Sequence, residues 1–90
     1  MKIEGTLNSN DLTSQGFAPD TSGQAEIIIT KKQNTNAYCT LETELNGDWR
    51  VCEALIQGRN ITFMSMNNSY RLRLTTNANL DEVIHYKVCD

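Results

Sequence analysis

One histidine, one proline and one tryptophan occur in 90 residues, and three cysteines leave a thiol without a mate. Each scarcity excludes something. A lone His85 gives neither a metal centre nor an acid–base pair the partners it needs, and its neighbours Tyr86 and Lys87 supply none. Cys39, Cys52 and Cys89 lie far apart with no C-x-x-C spacing, so zinc and dithiol redox chemistry find no ligand pattern. An odd thiol also fits poorly with a secreted disulfide framework, and reduced cysteines of a cytoplasmically made protein are expected.

Long apolar runs are missing too. The longest aliphatic stretch is Ile27-Ile28-Ile29, far short of the ~20 residues of a membrane span. The opening Met1-Lys2-Ile3-Glu4-Gly5 turns polar at once, so no signal peptide is expected. Eight Lys and Arg against eleven Asp and Glu give a net charge of −3. Phosphate binding needs clustered cations, and only Lys31-Lys32 and the Arg71/Arg73 pair come near, which argues against nucleic acid. No glycine-rich phosphate loop and no nucleophile-elbow or zincin motif occurs. The carboxylates are scattered, and Glu42 with Glu44 reads as the ordinary charged face of a strand. The glycosylation triplets at Asn60 and Asn67 read as chance matches in an Asn-rich chain. Neither a catalytic set nor a cofactor is expected.

What the chain has is 39% hydrophobic residues, 21% charged residues and an abundance of Asn, Thr and Ser. That is enough apolar content for one modest core. Asn tolerates left-handed backbone and caps turns, so many turns between many short strands are implied.

Strand signals recur through the chain. Residues 25–30 are β-branched and apolar, 38–45 and 49–56 flank the hairpin signal Asn46-Gly47, and 61–66, 70–75 and 83–89 follow. Turns fall at 33–36, 57–60, 67–69 and 76–79, and residues 80–83 offer at most one helical turn. Tyr70, Leu72 and Leu74 alternate against Arg71, Arg73 and Thr75. In 61–66 both alternations are apolar, so its inner face is undecided. For the 46–47 hairpin, an odd loop of three residues sorts Cys39, Leu41, Thr43, Trp49, Val51 and Leu55 onto one face. It places Arg50 near Glu42 and Glu44 on the other, with Cys39 and Cys52 pointing apart. Trp49 is then expected as the core aromatic.

The expected fold is all-β: an antiparallel two-layer sandwich or small barrel, immunoglobulin-like or jelly-roll, with an extended N-terminal arm. Residues 1–24, with a possible short first strand at 3–7, read as that arm or a long loop, and 25–90 as the β domain. The arm's apolar Leu12 and Phe17 and the face bearing Arg71 and Arg73 are the candidate interaction residues.

The tract Gly47-Asp48-Trp49-Arg50-Val51, the stretch Tyr70-Arg71-Leu72-Arg73-Leu74-Thr75 and the closing Glu82-Val83-Ile84 resemble small β-sandwich structural proteins of tailed-phage virions. These include head decoration proteins, fibre or tail accessory modules, and adaptors. The resemblance implies a homo-oligomeric or capsid-bound protein, assembled in the host cytoplasm, whose arm and strand edges bind other protein subunits. Two other expectations stand beside it: a small inhibitor or anti-defence protein that blocks a host enzyme by contact, and a carbohydrate- or receptor-binding module.

Overall fold

Alternation organises the chain. In the run 24–30, Ala25, Ile27 and Ile29 are buried while Gln24 and Thr30 face outward, the period of a half-buried strand. A computed structural model describes residues 1–31, 37–75 and 83–90. Among these residues are seven strands: β1 (Lys2–Asn8), β2 (Gly23–Lys31), β3 (Tyr38–Leu45), β4 (Asp48–Leu55), β5 (Gly58–Met64), β6 (Tyr70–Thr75) and β7 (Val83–Cys89). No helix occurs among the described residues. The turns expected at 33–36 and 76–79, Lys32, and residues 80–82 of the helical turn expected at 80–83, with the acidic Asp81 and Glu82, lie outside them, while Val83 opens a strand.

The strands form two antiparallel sheets, β1-β7-β2-β5 and β4-β3-β6, packed as an open sandwich and not as a closed barrel. Residues 12–17 extend the second sheet along the free side of β6. Ser14 and Phe17 N–H donate to the Leu72 and Tyr70 carbonyls at 2.9 Å each, and Leu74 N–H donates to the Leu12 carbonyl at 2.7 Å. Between the bridges Thr13↔Arg73 and Phe17↔Tyr70 the segment carries one residue more than β6, a bulge. There Ser14 Oγ accepts the Leu72 N–H at 2.9 Å, taking the place of a ladder carbonyl.

With this segment counted as a strand, the chain pairs as one long hairpin: β3 with β4, β2 with β5, the 12–17 segment with β6, and β1 with β7. Rolled up, that hairpin is a jelly roll. The immunoglobulin option is corrected, because there the last strand joins the sheet of its predecessor. Here β7 lies between β1 and β2.

The core lies between the sheets and includes Leu7, Ile27, Ile29, Leu41, Met64, Leu72, Leu74, Ile84 and Val88, all at most 2% exposed. Each such side chain contributes about 1.5–3 kcal/mol on burial. Leu7 and Phe17 also belong to this core, so a boundary at 24/25 does not divide it.

The hairpin register differs from the odd-loop expectation. Leu45 pairs with Asp48 across a two-residue turn in which Asn46 (φ 53°) and Gly47 (φ 87°) are both left-handed. The extra residue sits further along β4 at Cys52, where Leu41 pairs with Glu53 but Glu42 with Val51. Deferring the bulge keeps Cys39, Leu41 and Leu55 inside, yet turns Trp49 and Val51 outward. Trp49 is therefore half-buried on the outer face and Val51 is 62% exposed. Glu53 accepts a 2.8 Å hydrogen bond from Thr62 Oγ1 on β5 and ties the two sheets together.

Phe17→Ala should cost about 3 kcal/mol in urea unfolding. Ser14→Ala, which leaves the buried Leu72 N–H without its acceptor, should cost about 1–3 kcal/mol. Changes below about 0.5 kcal/mol in both would show that the segment is not part of the folded unit.

Candidate interaction surfaces

The outer face of the smaller sheet carries a largely buried ion pair. Register places Arg71 of β6 opposite Glu42 of β3, and Val51 opposite Glu42 on the other side. Arg71 Nε donates to Glu42 Oε1 at 2.7 Å, and its guanidinium lies 4.4 Å from the Trp49 ring centroid. Glu42 is 5% exposed, so its carboxylate depends on this partner for the solvation it has lost. Arg50 does not take this role, since it pairs with Thr43. Beside them Thr40 Oγ1 is buried without a hydrogen-bond partner.

The four candidate residues separate into two pairs. Phe17 is 8% exposed and packs against Tyr70 with ring centroids 6.2 Å apart, and Arg71 is held by Glu42 and Trp49. Leu12, at 37%, and Arg73 remain exposed on neighbouring positions of the segment–β6 pairing.

Sequence reasoning left a third group undecided. β5 buries Asn60, Thr62 and Met64 and turns Ile61 and Phe63 outward, at 46% and 67% exposure. Ile56 just before it and Met66 just after it are exposed as well. The only signal was the doubly apolar alternation of 61–66, which told of two covered faces without saying which was covered by this chain.

His85 is exposed on the outer face of β7. Together with Glu4, Thr6 and Tyr86 it borders a shallow depression of about 270 Å³ over Gly5. Tyr86 leans across Gly5, where a Cβ would sit 2.7 Å from the tyrosine oxygen. No group of three His, Cys, Asp or Glu that could hold a metal is present among the described residues.

The three thiols are free. Burial pushes Cys39 up to about 12. Cys52 is exposed, and its thiol is raised by partial burial and then by Glu53 and Glu42. Cys39 and Cys52 face opposite ways, in line with the expected separation.

No protein-family model matches the chain, and no curated protein or solved structure matches it. The class is thus defined by architecture alone: an open two-sheet β-sandwich of jelly-roll order.

Arg71→Ala should destabilise the fold by about 2–3 kcal/mol, by leaving Glu42 buried and unpaired. Thr40→Val should leave stability unchanged or raise it by up to about 1 kcal/mol, since a hydroxyl without a partner is lost. Iodoacetamide at pH 8 should alkylate Cys52 while sparing Cys39 in the folded protein, as read by peptide mass spectrometry. Equal labelling of the two would contradict the placement of Cys39.

Proposed function

We propose that this chain is a non-catalytic assembly protein, a tailed-phage virion component of the decoration, fibre or tail-accessory kind. It binds neighbouring protein subunits through its sheet edges and N-terminal segment, and neither nucleic acid nor a membrane. It assembles in the host cytoplasm and resides in the virion.

The observation that carries this reading is the distribution of exposed apolar side chains. Ile56, Ile61, Phe63 and Met66 fall within one stretch of the chain that includes the edge strand β5. Isolated exposed apolar residues are ordinary, whereas a run of them marks an interaction site. Jelly-roll sandwiches serve as capsid and lectin domains among other things, so architecture alone does not choose between these uses. The lectin use would want an open aromatic platform; Trp49 has Arg71 over its ring, while Tyr38 and Phe63 are exposed singly on different sheets.

The N-terminal segment takes a more limited part than a free arm would. Its backbone already pairs with β6 of its own chain, leaving Leu12 and the adjoining Arg73 as its outward contacts. Removal of residues 1–20 would delete a strand and Phe17 along with the segment, so it tests folding and not assembly.

Size-exclusion chromatography with light scattering at tens of micromolar protein should give a mass at least twice that of the 10.1 kDa chain. A single monomeric mass at every concentration would overturn the assembly reading.

A further inference from the structure

We propose that β5 is the self-association edge, pairing antiparallel with β5 of a second copy about a two-fold axis at Ile61. This rests on the assembly reading and names its partner.

Among the described residues the two sheets end on four edges, and three carry features that discourage pairing. β1 bears Lys2 and Glu4. β4 is interrupted by the bulge at Cys52 and carries Asp48, Arg50 and Glu53. The 12–17 segment is irregular and leads into Pro19. β5 has none of these devices. Its register with β2 runs unbroken from Gly58 to Met64, it contains no proline, and its one charge, Arg59, is already paired with Glu26. It is also the edge strand whose outer face bears Ile61 and Phe63.

Which backbone groups face outward follows from the ladder. Asp90 N–H donates to the Met1 carbonyl, so in β7 every second residue, Val88 included, aims its backbone at β1. Ile27 faces Val88 in the alternate, non-bonded position and therefore aims its own groups at β5. Its partner Asn60, and with it Thr62, bonds to β2. Arg59, Ile61 and Phe63 are left with N–H and C=O directed away from the sheet.

A two-fold axis at Ile61 uses all three of them. Ile61 meets Ile61 of the second copy, and Arg59 meets the second copy's Phe63 on both sides of the axis. The strand is thus self-complementary: an aliphatic pair at the centre is flanked by two guanidinium–aromatic pairs, a favourable combination. A shift of one pairing step in either direction leaves one of the three residues without a strand partner. The product is a continuous eight-stranded sheet running from β1 of one copy to β1 of the other. Isologous contacts of this kind close as dimers.

Two substitutions at the exposed Ile61, which spare the core, test it. Ile61→Lys should shift dimer dissociation to at least tenfold higher protein concentration, with an unchanged circular dichroism spectrum. In a chain with Cys52 and Cys89 replaced by Ser, Ile61→Cys should form a disulfide-linked dimer under mild oxidation. Directly bonded antiparallel pairs have Cα atoms about 5.5 Å apart, within disulfide reach. Glu4→Cys, on the β1 edge, should not crosslink in the same background. If the wild-type chain assembles, but Ile61→Lys leaves its association unchanged and Ile61→Cys does not crosslink, the β5 assignment is overturned and the assembly reading stands. A wild-type chain that remains monomeric overturns both.

Discussion

Every pairing in this fold is counted outward from the two-residue turn at Asn46 and Gly47. Both residues are left-handed there, a conformation that asparagine and glycine reach more easily than other residues. The turn fixes β3 against β4, and each later pair wraps around that one: β2 with β5, the 12–17 segment with β6, β1 with β7. A single extra residue at Cys52 then re-aims the far half of β4, so that Leu55 enters the core although Trp49 and Val51 lie outside. Turn and bulge together decide which side chains are left for the surface.

Two consequences follow from that sorting. The first is the outer face of the smaller sheet, where Trp49 finds cover beneath Arg71 and Arg71 in turn neutralises Glu42. This trio consumes the arginine that the sequence offered as a contact and converts it into structure. The second is the open side of the roll, where β4 and β5 end their sheets as neighbours in sequence. One of those edges is broken by a bulge and lined with charge. The other is regular and apolar, and the inferred partner surface lies there.

Much of the architecture was legible because strand alternation is a local property. The buried faces of β2, β6 and β7 follow directly from Ile27 and Ile29, from Leu72 and Leu74, and from Ile84 and Val88. The hairpin was legible in place but not in register, since moving the bulge from the turn to Cys52 changes no composition. Topology was narrowed to two options and no further, because the pairing that separates them joins residues at opposite ends of the chain, such as Lys2 and Cys89. Of the four candidate contact residues, Phe17 and Arg71 are taken up by the fold. An isolated phenylalanine in a polar stretch reads the same whether it anchors a segment at home or on a neighbour. The β5 stripe was visible only as an ambiguity, Ile61 and Phe63 against Met64 and Met66, and the core resolves it by claiming Met64 alone.

Amide hydrogen exchange along β5, followed residue by residue by NMR at low and high protein concentration, addresses the edge most directly. Asn60 and Thr62, bonded to β2, should exchange slowly throughout. Arg59, Ile61 and Phe63 should exchange rapidly in dilute solution and become protected as the concentration rises. Rapid exchange of these three amides in a sample that is already assembled would contradict pairing through β5.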